Sequence, residues 1–357
     1  MRLEIRGAPN YYACESGILD TLPGILTNHG IRKPLLLTGR NSWNAAKSFF
    51  PKDIVARLET YYGECSNEEI ERIGRLIKNG GHDAIIAIGG GKVLDLVKAA
   101  GDIVSVPFIL IPTLASTCAA WTPLSVIYAN DGRFLYYSIF KGSAMAVLVE
   151  PEILAASPPA YLRAGIGDTL AKWYEADVLL KQVENWTVPM QIARESAYLC
   201  KTNLLAFGHQ ALEDAVSGRI TPELVKVCET IIMAGGMVGG FGDHFGRIAG
   251  AHSIHNALTH LPETHQILHG DKVAYGILVQ LMLEGRKEEV LELLPFYKIT
   301  GLPFSLNSLG VLSPESAPAV IAANALAPNE SIHFMDIPLT PEILVKSILE
   351  LEMIVEK

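Results

Sequence analysis

The sequence of 357 residues has little that points to nucleic acid or to a disulfide framework. Charged residues make up 19% of it, and the formal net charge is −9. Because no cluster of Lys or Arg is present, nucleic acid and anionic membranes are not expected as partners. The five cysteines are odd in number and scattered, at Cys14, Cys65, Cys118, Cys200 and Cys228. Scattered cysteines are typical of free thiols in a reducing compartment, and we therefore expect a cytoplasmic protein.

One stretch, residues 103–129, has no charge at all. Pro107, Pro112 and Pro123 interrupt it, and Ser and Thr residues crowd its second half. A membrane helix would leave the backbone groups freed by the prolines in lipid, so buried strands and a ligand-facing loop are expected instead. The N-terminal residues also lack the apolar core and cleavage site of a signal peptide, and we expect no membrane association.

The length of the chain favours two domains. Short apolar runs alternate with helical patterns over the first part, with buried strands predicted at 33–39, 83–89 and 106–112 and an amphipathic helix at 67–80. Asn130-Asp-Gly132 predicts a hairpin. Continuous apolar strands between helices are typical of a parallel sheet covered on both faces.

From about residue 158 the pattern is helical to the end of the chain. We therefore predict a doubly wound, Rossmann-like α/β domain at 1–157 and an all-helical domain at 158–357, with ligands bound between them.

Six of the ten histidines lie between His244 and His269. Imidazole is the commonest neutral metal ligand, and His252 and His269 lie on either side of a Leu261-Pro262 break, so two helices could direct both rings to one point. The alternative is a solvated helix pair with titrating surface side chains. No His-Glu-x-x-His pair is present, so the histidines alone leave both interpretations open.

A glycine turn, Gly89-Gly-Gly-Lys92, directly follows a predicted strand and opens a helix. Glycines allow close approach of the backbone to a ligand, and a helix N-terminus offers free N–H groups to a phosphate. A tight turn without a ligand is the alternative. Residues 111–125 form a loop rich in small and hydroxyl side chains. Such a loop could contact a nucleotide or substrate, and a loop that uses small residues only for packing is an equally plausible alternative. Further along the chain, the local sequence alone favours Asp168 as a helix N-cap. Lys172, one helical turn later, would then form a surface ion pair with it.

Together these pieces resemble the iron-containing alcohol dehydrogenase superfamily, in particular its glycerol dehydrogenase-like branch and, within that, the hydroxycarboxylate dehydrogenase subgroup. The resemblance runs from Gly89 to Gly276 and more weakly to both ends. It implies a two-domain, dehydroquinate synthase-like fold. The motifs that carry it, in chain order, are Gly63-Glu-Cys-Ser66, Gly89-Gly-Gly-Lys92, Pro112-Thr-Leu-Ala-Ser-Thr117, Leu124-Ser-Val-Ile-Tyr128, Gly167-Asp168, Ala251-His252 with His255-Asn256, and His269-Gly-Asp-Lys-Val-Ala274.

The resemblance implies a role for each matching position. Asp168, His252 and His269 match the ligands of one catalytic divalent metal, for which zinc is expected first and iron or manganese are the alternatives. His255, one turn after His252, is the candidate proton donor. The residues that match the dinucleotide contacts are Gly89, Gly90, Gly91, Lys92, Thr113, Ser116, Thr122, Leu124 and Tyr128.

Two departures from glycerol dehydrogenases concern the substrate. Cys118 replaces an Asp that holds the polyol, and Lys172 stands one helical turn after Asp168, where related alcohol dehydrogenases place a His. Both changes favour an anionic substrate, with Lys172 as the anchor for its carboxylate. Trp121 is expected to shape the substrate pocket, with a plain core tryptophan as the alternative.

A third departure concerns the nucleotide. NAD-preferring members carry an Asp after the strand that ends near Leu37, whereas this chain has Thr38-Gly-Arg-Asn-Ser42. Arg40 and Ser42 could bind a 2′-phosphate that an Asp would repel, so NADPH is predicted over NADH.

The sequence thus predicts a metal-dependent enzyme that interconverts 2-oxo acids and 2-hydroxy acids with NADPH. The alternatives are an NAD-dependent glycerol or polyol dehydrogenase and a dehydroquinate synthase-like lyase or non-redox relative. A small-molecule substrate and a homo-oligomer are the expected partners.

Overall fold

A six-stranded parallel sheet organises the first part of the chain in the computed structural model, which describes residues 3–312 and 315–355. Its strand order is β1-β8-β5-β4-β2-β3, and β6 and β7 form a separate antiparallel hairpin. The strands are β1 (Tyr12–Cys14), β2 (Pro34–Thr38), β3 (Arg57–Thr60), β4 (Ala84–Gly89), β5 (Phe108–Pro112), β6 (Leu124–Tyr128), β7 (Phe134–Ile139) and β8 (Ala146–Val149).

Fourteen α-helices are assigned in the described residues. They are α1 (Leu22–Asn28), α2 (Arg40–Ala46), α3 (Asn67–Gly80), α4 (Gly91–Val104), α5 (Pro151–Ala155), α6 (Pro159–Leu180), α7 (Val188–Val216), α8 (Pro222–Glu229), α9 (Gly235–Gly242), α10 (Gly250–Leu258), α11 (His269–Leu283), α12 (Lys287–Thr300), α13 (Ala317–Ala325) and α14 (Pro341–Val355). A π-helical segment, Thr230–Ala234, joins α8 to α9.

The predicted α/β class is confirmed. The central strands β2, β4 and β5 are buried throughout, as expected of parallel strands covered on both faces. The helix predicted at 67–80 is α3, which begins with the Ser66 side chain accepting from Glu69 N–H and ends at Gly81 in the left-handed conformation.

The chain divides into two compact units. One comprises Arg6–Pro159 and Asp214–Gly236 and contains the sheet and the hairpin. The other comprises Ala160–Glu213, the residues from Met237 onward and the N-terminal residues up to Ile5; its described residues contain helices and turns but no strand. This division differs from the sequence-based boundary after residue 157, because residues 214–236 return to the sheet-containing unit, where α8 packs against α5.

By length and composition, one helical stretch, Pro222–Gly246, could cross a membrane, with a mean hydropathy of 1.5 over its most apolar window. Sixty-seven per cent of that window is buried within the protein, which is typical of a core helix, so the stretch is weak evidence for a membrane span. The uncharged residues 103–129 instead form the end of α4, then β5, a loop and β6.

Candidate functional site

Three side chains that the sequence predicted as metal ligands converge in the helical unit. Asp168 Oδ1 lies 3.4 Å from His252 Nε2 and 3.3 Å from His269 Nε2, and one ligand atom from each residue lies within 4.8 Å of the others. Asp168 and His252 are buried, whereas the His269 side chain is 44% exposed. The cluster is therefore built into the protein on one side and open on the other.

The donor set suits a divalent metal. Within the described residues, the buried Asp168 Oδ1 has no hydrogen-bond partner of good geometry, which is costly unless a cation approaches it. One carboxylate and two imidazoles with an accessible side are the ligands of a site that leaves a position open for a substrate. The residues present therefore fit the metal that the sequence predicted.

Close contact between two helices brings Asp168 and His269 together. Asp168 lies within α6, and His269 is the first residue of α11. A Cβ at Gly167 would lie 2.5 Å from the Gly270 carbonyl oxygen, and a Cβ at Gly270 would overlap the Ala164 carbonyl oxygen. Only glycine permits this backbone contact. The N-cap interpretation of Asp168 is wrong because Asp168 lies well inside α6, which begins at Pro159.

A third glycine and an ion pair complete this arrangement. A Cβ at Gly276 on α11 would overlap the Ala251 carbonyl oxygen on α10, next to His252. Arg163 on α6 donates two hydrogen bonds, of 3.0 and 2.7 Å, to the carboxylate of Asp271 on α11. The three helices that carry the ligands are thus fixed to one another beside the site.

Glu175 orients His252 from behind. Its Oε2 accepts from His252 Nδ1 at 2.7 Å, while its Oε1 accepts from the backbone N–H groups of Ala249 at 2.7 Å and His252 at 3.0 Å. A carboxylate that holds Nδ1–H leaves Nε2 as the ligand atom, and such outer partners orient metal-bound histidines in general. Sequence analysis gave Glu175 no role, although its position seven residues after Asp168 places it on the same face of the helix.

The buried charges of the site balance one another. Burial alone would raise the pKa of Asp168, but the Lys172 ammonium and the facing imidazoles outweigh burial and hold that pKa well below the ordinary value. Burial opposes ionisation of Glu175 too, yet His252 and Lys172 keep its pKa lowered. For His252, Glu175 and Asp168 overcome burial and raise the pKa to about 9. Lys172 is itself buried, so the surface ion pair considered from the sequence is wrong.

His255 lies directly behind His269. Its Nε2 is 2.9 Å from His269 Nδ1, and its Nδ1 is 3.0 Å from Asn256 Oδ1. Burial and the neighbouring His269 and Lys272 hold the pKa of His255 well below the ordinary value.

The residues predicted to bind the dinucleotide lie in the other unit, at one edge of the parallel sheet. The turns after β2, β4 and β5 follow the carboxyl ends of three adjacent strands, since Thr38 pairs with Ile88 and Gly89 with Pro112. The chain reverses direction across the sheet between β2 and β4, and ligands of doubly wound sheets bind at that switch point.

The three glycines of the turn differ in what they permit. A Cβ at Gly89 would lie 2.6 Å from Val93 Cβ, and one at Gly90 would lie 2.8 Å from Leu114 Cδ1, so packing accounts for these two. A Cβ at Gly91 would meet nothing closer than 3.8 Å in the described structure. Gly91 begins α4, whose first N–H groups have no partner within the helix. A Cβ at Gly91 would thus make ordinary van der Waals contact with Ala119 and Thr117, so packing does not require a glycine there. The N–H groups at the start of the helix are the donors expected to meet a phosphate.

Lys92 is already paired. Its Nζ lies 2.5 Å from Glu64 Oε1 and 5.7 Å from the centre of the Tyr128 ring. A phosphate contact from Lys92 would therefore compete with Glu64. Arg40, the first residue of α2, is exposed, and Ser42 on the same helix is half-buried.

A buried lysine on α4 binds the loop between β5 and β6 through backbone carbonyl oxygens. Lys98, 1% exposed, donates to the carbonyl oxygens of Ala119 at 2.7 Å, Thr122 at 3.0 Å and Leu124, and pairs with Asp95 at 2.8 Å. Sequence analysis missed both charged residues, although they lie one turn apart on α4, directly after the glycine turn. The predicted contacts Thr113, Ser116, Thr122 and Leu124 all lie on or beside this loop.

The two other predicted substrate residues are also on this loop. Cys118 is half-buried, and its carbonyl oxygen accepts from Trp121 N–H and Thr122 N–H. Trp121 is buried against Tyr12 and donates its Nε1–H to the Gly7 carbonyl oxygen at 2.8 Å. These contacts give Trp121 a packing role within its unit.

Known proteins match both the sequence and the fold. Residues 9–151 match the family model described as iron-containing alcohol dehydrogenase. Hydroxycarboxylate dehydrogenase A of Escherichia coli K12 is 40% identical over 344 residues, covering 95% of this chain and 94% of the relative. The chain belongs to the iron-containing alcohol dehydrogenase family. It is a dehydrogenase acting on CH–OH groups, as the resemblance implied.

Glycerol dehydrogenases match this dehydrogenase as well. The enzyme of Thermotoga maritima is 36% identical over 341 residues, covering 93% of this chain and 92% of the relative. The crystal structure of a probable glycerol dehydrogenase from Sinorhizobium meliloti has a TM-score of 0.88 and 29% sequence identity, covering 99% of each chain. The two-domain architecture expected from the resemblance is thereby confirmed.

The glycine contact between α6 and α11 generates a first prediction. Gly270→Ala places a methyl group against the Ala164 carbonyl oxygen, so the helices must separate. We expect about 1–3 kcal/mol of lost stability and zinc affinity reduced about tenfold or more, measured by thermal unfolding and by competition with a chelator.

Gly24→Ala is the matched control. Gly24 lies in α1, and the described structure has no heavy atom within 4 Å of its added Cβ apart from its own surroundings in the helix. This variant should gain about 0.5–1 kcal/mol and bind zinc as the parent does. Wild-type zinc affinity in Gly270→Ala would contradict the account of the helix contact.

The Glu175 contacts generate a second prediction. Both oxygens of Glu175 accept hydrogen bonds, so in Glu175→Gln the amide NH₂ faces either the backbone N–H groups, which it repels, or His252 Nδ1, where it favours the tautomer with the proton on Nε2. We expect zinc to bind about 10–100-fold more weakly, measured by chelator competition on the folded protein.

Glu69→Gln is the control for loss of a buried carboxylate. Glu69 is buried in the other unit, where it pairs with Arg72 at 2.7 Å. This variant should lose stability but keep its zinc affinity. Equal zinc affinity in the two variants would show that Glu175 does not orient His252.

Proposed function

We propose that this dehydrogenase interconverts 2-oxo acids and 2-hydroxy acids with NADPH and one divalent metal, zinc in the first instance. The single observation that carries the proposal is the buried carboxylate of Asp168 between two imidazoles, one of which is accessible. A site of this kind suits a Lewis acid with a position open for a substrate oxygen. We expect the protein to act in the cytoplasm as a homo-oligomer.

The residues take defined parts in this reaction. Asp168, His252 and His269 would hold the metal, while Glu175 fixes the ring of His252. When bound, the metal neutralises negative charge that develops on the substrate oxygen, and the nicotinamide exchanges the hydride. His255 stays the candidate for proton delivery. Because both of its ring nitrogens have protein partners, and one of these is the proposed ligand His269, His255 would have to exchange one contact for the substrate or a water in order to deliver a proton.

The substrate class rests on two side chains. Cys118 cannot accept from polyol hydroxyls as a carboxylate would, and the buried Lys172 offers a cation beside Asp168 and Glu175. The printed name of the Escherichia coli relative, hydroxycarboxylate dehydrogenase, supports an acid substrate. The glycerol dehydrogenases among the relatives keep an NAD-dependent polyol dehydrogenase as the second candidate. The relatives described above give no support to the lyase alternative.

The nucleotide preference rests on the turn after β2. No acidic side chain lies in Thr38–Ser42, and Arg40 is exposed there. Dinucleotide binding is known for a distant structural neighbour, sulfoacetaldehyde reductase from Bifidobacterium kashiwanohense, crystallised with NAD⁺.

A substrate screen tests the proposed function directly. Metal-loaded protein is assayed with NADPH and with NADH against 2-oxo acids, aldehydes and, in the oxidative direction, polyols. We expect the highest kcat/KM for a 2-oxo acid with NADPH. Preferred turnover of a polyol with NAD⁺ would replace the proposal with the second candidate, and preference for NADH with an oxo acid would refute only the role of Arg40.

Lys172→Thr tests the carboxylate anchor. The loss of one charge-assisted pair raises the barrier by roughly 2–3 kcal/mol, so kcat/KM on 2-oxo acids should fall about a hundredfold. Neutral carbonyl substrates should be affected far less. Since Lys172 also balances Asp168 and Glu175, zinc content is measured in parallel. An equal loss on charged and neutral substrates at full zinc content would disprove the anchor.

A further inference from the structure

A chain of hydrogen bonds leads from the metal cluster to a carboxylate far along the sequence. His269 Nδ1 is 2.9 Å from His255 Nε2, and His255 Nδ1 is 3.0 Å from Asn256 Oδ1. Asn256 Nδ2 donates to Glu330 at 3.0 Å to Oε2 and 3.2 Å to Oε1. All four residues belong to the helical unit.

An ionised Glu330 favours one direction for every hydrogen bond in this chain. The Asp168 carboxylate at the other end favours the opposite direction as long as no cation lies between it and His269 Nε2. An ionised carboxylate only accepts, so the NH₂ of Asn256 must face it and Oδ1 must face His255. Because Oδ1 also only accepts, the proton of a neutral His255 lies on Nδ1. Its Nε2 is then the acceptor for His269 Nδ1–H, and the lone pair of His269 is left on Nε2, which faces Asp168 Oδ1 at 3.3 Å.

We propose that Glu330, acting through Asn256 and His255, is a positioning residue that sets the tautomer of His269 and so prepares its Nε2 to bind the metal. The inference rests on the metal site of the proposed function. It gives His269 the counterpart of what Glu175 does for His252, by a longer route. Glu330 touches neither substrate nor metal in this role.

The surroundings of Glu330 hold it in place. It precedes a short 3₁₀ turn, Ser331–Phe334, that is bound to α10. Ser331 Oγ donates to the Ala249 carbonyl oxygen at 2.6 Å, and Ile332 N–H donates to Ser253 Oγ at 2.9 Å. Since Asn256 is on the same helix, α10, the carboxylate and the amide are fixed relative to each other. A supporting group must be held in this way if it is to orient a ligand.

Substitutions of the two residues that share the Asn256–Glu330 hydrogen bond should have opposite effects on the tautomer of His269. In Glu330→Lys a donor faces Asn256, so the amide turns, and His255 Nε2–H then donates to His269 Nδ1. This leaves the proton of His269 on Nε2, where it blocks the metal. In Asn256→Asp a carboxylate oxygen still accepts from His255 Nδ1–H, so the original direction is kept.

The tautomer is measured at mildly alkaline pH on metal-free protein that carries Asp168→Ala in every sample, because an ionised Asp168 would itself draw the His269 proton to Nε2. Long-range ¹H–¹⁵N spectra of histidine-labelled protein report the tautomer, and His269→Gln identifies the signal of His269. We expect Nδ1–H in this background and after addition of Asn256→Asp, and Nε2–H after addition of Glu330→Lys. Zinc affinity, measured by chelator competition, should fall about 10–100-fold in Glu330→Lys and stay within about threefold in Asn256→Asp.

Glu263→Lys is the matched control for charge. It reverses an exposed carboxylate on the segment between α10 and α11 and should leave the tautomer of His269 unchanged. An Nδ1–H tautomer in folded Glu330→Lys would overturn the proposal. If that variant does not fold, Asn256→Leu decides, because its His269 should show both tautomers and a single Nδ1–H form would refute the inference. A wild type that binds no zinc would instead count against the proposed function, since the tautomer is read without metal.

Discussion

The site depends on how closely three helices approach one another. Side chains normally keep helix axes 8–10 Å apart, but at Gly167, Gly270 and Gly276 the backbones touch. This contact places a carboxylate from α6 beside an imidazole from α10 and another from α11. The Arg163–Asp271 pair sits at the same crossing and opposes its separation. The three side chains proposed as metal ligands are therefore positioned by backbone contact between their helices.

Burying so many charges in one place is possible only because they are paired. Keeping Asp168 or Glu175 ionised in a protein interior costs desolvation free energy, which partners of opposite charge must offset. Lys172 and His252 compensate them, while backbone N–H groups at the start of α10 complete the shell of Glu175. The same lysine that balances the site is the proposed anchor of the substrate carboxylate. In the proposed function, the stability of the site and its preference for an acid substrate thus depend on one side chain.

In the sheet-containing unit, turns and a supported loop rather than helix contacts position the predicted binding residues. The proposed cofactor site is formed by the turns after three parallel strands, where the close packing of Gly89 against Val93 and of Gly90 against Leu114 excludes larger side chains. Lys98 supports the neighbouring loop from within the unit through three carbonyl oxygens. Glu64 is paired with Lys92, so a phosphate that binds at this turn would compete with Glu64 for the Lys92 ammonium group.

Much of this protein was determined by the sequence itself. Local periodicity predicted the buried strands and α3, because burial on both faces and amphipathic spacing are local properties. The ordered motifs predicted the family and the three residues of the metal cluster. What only the tertiary structure decided involves residues far apart in the chain. Asp168 meets His269 because Gly167 and Gly270, about a hundred residues apart, allow the two helices to touch; Lys172 is buried; residues 214–236 rejoin the sheet unit; and Glu330 reaches Asn256. No local pattern contains such contacts, since they exist only once packing has brought the helices together.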